Sequence, residues 1–188
     1  MTYYGSKEMA AAFRTVRGNT LTTAQDIPEN QYDFKPSPDS RTIGQTLVHI
    51  ALGPRLQLHV HANKATDLKT VNFVELFRTF GAEEAKARSK AETVAFLKSE
   101  GDVFAAFLDG LSDAFLAEPV AMPAGGPATK SRFEMLLGVK EHEMHHRAQL
   151  MVMERMIGVV PHLTRQRQER MAQAASGTAP HASPQSTQ

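Results

Sequence analysis

A chain of 188 residues and 20.7 kDa is long enough to bury a core without disulfides or a structural metal, and it fits one domain with a tail. Its 21 Lys and Arg against 20 Asp and Glu leave a formal charge of +1, which argues against nucleic acid or an anionic membrane as partner, because both require a concentrated basic footprint. No cysteine is present, so disulfides, thiolate ligands and a cysteine nucleophile are excluded, and any metal must be held by nitrogen and oxygen.

The N-terminal residues carry no basic patch followed by an apolar run, and no stretch of about 18 apolar residues occurs. The expectation is a soluble, cytoplasmic protein. Met9, Phe13, Val16 and Thr20, continued by Leu21 and Ala24, recur at helical spacing and predict a first helix over 6–24. Three prolines between Ile27 and Pro38 predict a connecting loop. Asp39 or Ser40 is the predicted cap of a second helix, with Ile43, Leu47, Ile50 and Leu58 on one apolar edge and Thr46, His49, Leu52 and Leu56 on the next. His49 then points near the core, and Pro54 is expected to kink or end the helix.

From Leu68 to Arg88 the pattern predicts a short helical connection broken at Gly81. Val94, Leu97, Phe104, Phe107, Leu108, Leu111 and Phe115 predict one long helix over 90–117 that tolerates Gly101 and Gly110. The segment 120–129 is expected to be a loop, and Ser131-Arg132-Phe133-Glu134 has the form of a capping box that starts the last helix. No strand pattern and no internal repeat is evident. Four long helices with long crossover connections predict an all-α, four-helix bundle over residues 1–165, followed by a polar, disordered tail over 166–188.

The last helix carries Glu141-His142-Glu143-Met144-His145-His146-Arg147-Ala148-Gln149. Met135, Val139, His142, His146, Gln149, Met153 and Met156 alternate by four and three and are read as one inward stripe. His142 and His146 stand one turn apart and incline toward one spot, the geometry of two metal ligands. A third ligand is needed, and His49 on a facing helix is the best candidate, ahead of His59 and His61 beyond Pro54. The competing reading of each is a buried histidine satisfied by hydrogen bonds, or a solvated one. His145 is turned about 100° from His146, toward a flanking helix or a second subunit. Gln149 is placed to orient a ligand or touch a substrate, or to bond backbone; Arg147 reads as a surface ion-pairing residue.

The same letters satisfy H-E-x-x-H, in which Glu143 would be the general base of a zinc protease. Against this, no metzincin histidine follows, and Glu154 and Glu169 are poor third ligands. Glu143 lies about 100° from His142 around the helix, and pairing on the helix surface is its simpler role. Glu143 and Gln149 are the weak catalytic candidates.

The segment Ile27 to Pro36, the run Thr42-Ile43-Gly44-Gln45-Thr46-Leu47-Val48-His49-Ile50-Ala51, and His142 to Leu150 together resemble the DinB/YfiT-like family over residues 6–160. The resemblance implies a four-helix bundle, a homodimer, and a divalent metal held by His49, His142 and His146. Zinc and nickel are foremost among the metals that suit three imidazoles, with iron and manganese also compatible. It further implies a metal-dependent enzyme: a transferase using a low-molecular-weight thiol, or a hydrolase, on a small-molecule substrate. A non-catalytic metal-binding or dimerisation module in a stress response is the alternative. The chain departs from the family pattern at Ala148 and at Gly53-Pro54, where an aromatic is common.

Overall fold

The computed structural model describes residues 4–176. In chain order the elements are α1 (Ser6–Asp26), α2 (Ile43–Ala62), α3 (Phe73–Glu84), α4 (Lys90–Asp109), α5 (Asp113–Ala117), an antiparallel hairpin of β1 (Pro119–Ala121) and β2 (Thr129–Ser131), α6 (Arg132–Met156) and α7 (His162–Ala175). Single 3-10 turns lie at Glu29–Gln31 and Leu68–Thr70. No helix among the described residues is long and apolar enough to cross a membrane.

Helices α1, α2, α4 and α6 form the bundle. Met9 and Phe13, early in α1, share a core cluster with Phe104 and Leu108, late in α4, and with Leu136 and Val139, early in α6. Ala24, late in α1, shares another with Ile43 and Leu47 at the start of α2, with Leu97 of α4, and with Leu150 and Met153 late in α6. Helices α1 and α6 therefore run one way and α2 and α4 the other. Around the bundle the order is α1, α4, α2, α6. Sequential helices α1 and α2 thus stand on a diagonal, and the chain must cross a bundle end between them. Helices α2 and α4 are parallel neighbours, so the connection between them must travel back along the bundle, and α3 lies in that return.

Local chemistry sets the boundaries, and several differ from expectation. The cap of α2 is Thr42, whose hydroxyl accepts from Gln45 N at 3.0 Å while Gln45 Oε1 accepts from Thr42 N at 3.0 Å. Asp39 and Ser40 instead close a turn on Ser37. Ser131 caps α6 through Glu134 N, but the Glu134 side chain pairs with Lys130, so the box is only half formed. The expected helix over 90–117 is two: α4 ends at Gly110, and Ser112 caps α5. Leu111 keeps the core-facing spacing across the break, which hid it. Gly81 is accommodated inside α3. The expected loop after Pro119 contains the hairpin, whose three-residue strands bury only Val120 and are too short for alternation to be read. Helix α7 runs through the expected boundary at 165, and residues 177–188 of the expected tail lie outside the described residues.

Pro54 neither ends α2 nor leaves its backbone unsatisfied. Proline removes the amide that would bond the Ile50 carbonyl, and Arg17 Nη2 donates to that oxygen at 3.4 Å. The same guanidinium bonds the Leu97 carbonyl and grips Glu143, Nε to Oε1 at 3.0 Å and Nη2 to Oε2 at 2.9 Å. One arginine of α1 thereby ties α2, α4 and α6 at mid-bundle. Gly101 makes room for it, since a Cβ there would stand 2.8 Å from Arg17 Cγ and 2.9 Å from Nη1. Any side chain at 101 displaces the ion pair.

Glu154 is fully buried on α6 and neither carboxyl oxygen has a hydrogen-bond partner. Burial, reinforced by Asp26, pushes its carboxyl up to about 7. Between the ordinary value of 4.5 and 7 the unfolded chain gives up a proton that the folded chain keeps, so stability falls as pH rises through this window and levels off above it. Glu154→Gln is expected to flatten that fall. Urea unfolding near pH 8 should find the variant more stable than the parent by on the order of 2–3 kcal/mol, with little difference near pH 5.

Candidate metal centre

His49 projects from α2 and His142 and His146 from the antiparallel α6, and the structure brings the three together. One ring nitrogen of each lies within 4.8 Å of the others. His49 Nε2 and His142 Nε2 are 3.1 Å apart, and the three ring centroids are separated by 4.5 to 4.9 Å. Two nitrogens sharing a tetrahedral zinc at about 2.0–2.1 Å stand about 3.3 Å apart, so the cluster fits a cation with little adjustment. His142 is seated by Gly53: a Cβ on that residue would lie 3.0 Å from His142 Nδ1. The departure at Gly53-Pro54 thus admits the His142 ring, and Pro54 itself packs into the core.

Two of the imidazoles are held in the neutral state that metal ligands require. Burial, then the rings of His146 and His49, pushes His142 down to about 4, and burial lowers His146 as well. Both are neutral at pH 7. His49 Nδ1 lies 3.2 Å from Glu84 Oε2, and Arg41 also bonds the Glu84 carboxylate. Burial works to raise the Glu84 carboxyl, but the bonds from His49 and Arg41 outweigh it and hold it below its ordinary value. An ionised carboxylate only accepts, so His49 Nδ1 donates to it, and the ring is turned with Nε2 toward the other histidines. Glu84 was not visible in the sequence. Its only signal was a position at the end of α3, in a segment whose apolar pattern fades after Phe80. If the three histidines hold a metal, Glu84→Ala is expected to weaken its binding about 10- to 100-fold while keeping all three side chains; competition against a chromogenic zinc chelator measures it.

Gln149 is exposed and bridges two histidines. Its Oε1 lies 2.8 Å from His146 Nδ1 and its Nε2 lies 3.2 Å from His145 Nε2. This is an orienting contact to His146, not a bond to backbone. His145 lies outside the cluster on the exposed face of α6.

The inward stripe of α6 is rotated from the expected one. Met135, Val139 and Met153 are buried as expected, but the core between them is filled by Glu143, Arg147 and Leu150. His142 and His146 sit half-buried at the edge, and Gln149 and Met156 are exposed. Periodicity could not place Glu143 and Arg147 inside, because their burial depends on distant partners: Arg17 for Glu143, and the Val16 carbonyl, 3.1 Å from Arg147 Nη1. Glu143 is 1% exposed and turned into the bundle, so it is neither a surface residue nor a base at the histidine cluster. Arg147 is likewise no surface residue. His61 is a buried histidine bonded to Gln57 and Arg132, pushed down to about 4 by burial and by Arg132, and His59 is exposed. Glu169 lies exposed on α7.

Two cavities meet at the cluster. One, of about 420 Å³, lies between α2, α3 and α6 and is lined by His49, His142, Leu52, Gly53, Phe77 and Phe80. The other, of about 700 Å³, is more polar and is lined by Ser40, Gln45, Thr46, His146 and Gln149. Arg41 and Glu84 border both. Volumes in this range suit small-molecule ligands.

Residues 12–150 match the DinB superfamily. No curated protein matches the chain. The fold is similar to that of a DinB-like protein from Bacillus subtilis, with 19% identity over 80% of this chain and 92% of that one and a TM-score of 0.60. It is also similar to a protein from Streptococcus pneumoniae, with 22% identity over 82% and 93% of the two chains and a TM-score of 0.63. A third similar structure is YfiT from Bacillus subtilis, described as a probable metal-dependent hydrolase with an unusual four-helix bundle topology; identity is 14% over 85% and 91%, and the TM-score is 0.64. With most of its length matched and the bundle of its relatives, the chain belongs to the DinB superfamily.

Proposed function

We propose that the protein is a metal-dependent enzyme acting on a small molecule, with His49, His142 and His146 as ligands of one divalent cation, zinc or nickel foremost. The observation that carries this reading is the convergence of three half-buried imidazoles at the meeting of two cavities. Three protein ligands leave a position open, as in catalytic rather than structural sites. A cation bound there supplies Lewis acidity, lowering the pKa of a water or thiol and polarising the bond under attack.

The chain's own residues orient and enclose. Glu84 holds the proton on His49 Nδ1, and Gln149 fixes the His146 ring. Leu52, Phe77 and Phe80 limit water on one side, and Arg41 offers positive charge to an anionic part of a substrate. Transfer involving a low-molecular-weight thiol is the favoured chemistry. Glu84 is engaged by His49 and Arg41, and Glu143 by Arg17, so neither is free to take a proton from water. A thiol ionises with far less help. Hydrolysis is the second reading, supported by the likeness to YfiT.

Zinc-loaded protein is to be assayed with glutathione and 1-chloro-2,4-dinitrobenzene for transfer and with 4-nitrophenyl acetate for hydrolysis, each with and without chelator. Turnover that chelator abolishes and zinc restores is the expected result. Turnover indifferent to chelator and to His49→Ala would refute the proposal.

A further inference from the structure

The apolar cavity beside His49 and His142 does not end at α3. A further cavity of about 500 Å³ shares Leu56, Gln57 and Gly138 with it and continues toward Val60, Leu68, Phe73 and Met135. The two follow one seam. Helices α2 and α6 are antiparallel, so His49 faces His142 and His146, Leu56 and Gln57 face Gly138, and Val60 lies near Met135. From His49 to Val60 is about 16 Å at the helical rise of 1.5 Å per residue.

Three features keep this seam open. Gly138 lies one turn before His142, where the cavities join, and a Cβ there would meet nothing within 4 Å. A larger residue at 138 would stand in the junction. Helix α3, which borders the seam, buries none of its residues, and its Phe77 stays 57% exposed although it lines the cavity beside the histidines. Phe73 and Phe77 of α3 stack at 6.0 Å and serve one cavity each. Finally, the lining between the histidines and Lys130 and Glu134 is mainly apolar; of its polar side chains, Gln57 is bonded to His61 and Glu141 is exposed.

Resting on the metal-site reading above, we infer that this seam is the substrate-binding groove for an unbranched aliphatic chain, whose polar head lies at His49, His142 and His146 and whose tail passes over Gly138. A groove that is long, passes over a glycine and is lined mainly by Leu52, Leu56, Val60, Phe73, Phe77 and Met135 between the histidines and Lys130 fits a linear amphipathic molecule better than a compact or aromatic one. The available length matches a chain of about twelve to thirteen carbons, since an extended chain advances about 1.2 Å per bond. Gly138 is the specificity-determining position, because it alone removes the side chain at the junction.

Calorimetric titration of the zinc-loaded protein with acetohydroxamate, octanohydroxamate and dodecanohydroxamate tests this, since all three share one metal-binding head. Each methylene buried contributes about 0.8 kcal/mol, roughly a fourfold gain in affinity. The dodecano compound is therefore expected to bind at least 100-fold tighter than the aceto compound. In Gly138→Phe the ratio of the two affinities should fall below tenfold, and Gly138→Ala should keep most of it. Ratios cancel any effect common to the shared head. An affinity flat with chain length, or a ratio unchanged in Gly138→Phe, would overturn the proposal. A gain that emerges only on dilution would also overturn it, because a second copy would then fill the groove. Failure of the metal site shows separately, as loss of acetohydroxamate binding; metal-free protein titrated with decanol then reads the groove alone, and should bind it at least tenfold more weakly after Gly138→Phe. Equal decanol binding by the two proteins would sink the groove.

Discussion

Glu143→Gln is expected to destabilise the protein by about 3–5 kcal/mol, as removal of one partner from a buried ion pair leaves the other charge in the core. Arg17 would keep its bonds to the Leu97 and Ile50 carbonyls but lose the carboxylate that balances it. A loss of this size is a large part of the stability of a domain. Urea unfolding of the variant should show its midpoint shifted down with the slope unchanged. The double variant Arg17→Met, Glu143→Leu is expected to recover only part of the loss: apolar residues of similar volume replace buried pairs at little cost, but the Ile50 carbonyl freed by Pro54 is left without its donor. A zinc-protease base at this position would give a different result: a variant as stable as the parent and impaired only in turnover.

His142→Ala should give the largest functional effect. Even the loss of a group that orients a ligand weakens metal sites about 10- to 100-fold, and the loss of the ligand itself is expected to exceed 100-fold. Thermal unfolding with added zinc reads this without any substrate. At zinc 100-fold above the dissociation constant the parent gains about 2.7 kcal/mol, and at the same zinc concentration His142→Ala should gain almost nothing. In the metal-free state the cost of the substitution is expected to be smaller than that of Glu143→Gln, because the His142 ring is half-buried and already neutral. A variant that kept the full zinc-dependent gain would remove His142 from the site.

The bundle was legible because its apolar residues recur at helical spacing: Met9, Phe13 and Val16 in α1, and Ile43, Leu47 and Ile50 in α2, are all buried. The histidine cluster was legible because two histidines four residues apart share a helix face, and His49 lies on the edge of an apolar stripe. What could not be read depends on contacts between distant residues. Glu143 and Arg147 look like surface charges until Arg17 and the Val16 carbonyl are brought beside them. Pro54 looks like a helix end until Arg17 reaches the carbonyl it frees. Gly101 and Gly53 look like weak points, yet each makes space for one side chain, Arg17 and His142. Glu84 follows the same rule, for its role depends on the return of α3 to the face of α2 that carries His49. Boundaries failed for a more local reason: Thr42 with Gln45, and Gly110 with Ser112, are short polar signals that the surrounding apolar pattern outweighs.

On the proposed reading, three histidines from α2 and α6 hold one divalent cation. Metal analysis of protein purified without an affinity tag, repeated on His49→Ala, tests it most directly, because His49 is the ligand that lies outside the H-E-x-x-H string. About one equivalent of metal per chain in the parent, and less than about a tenth of that in His49→Ala, is the result expected of a three-ligand site. Equal metal content in the two proteins, or a parent that takes up no metal after incubation with zinc or nickel, would contradict it.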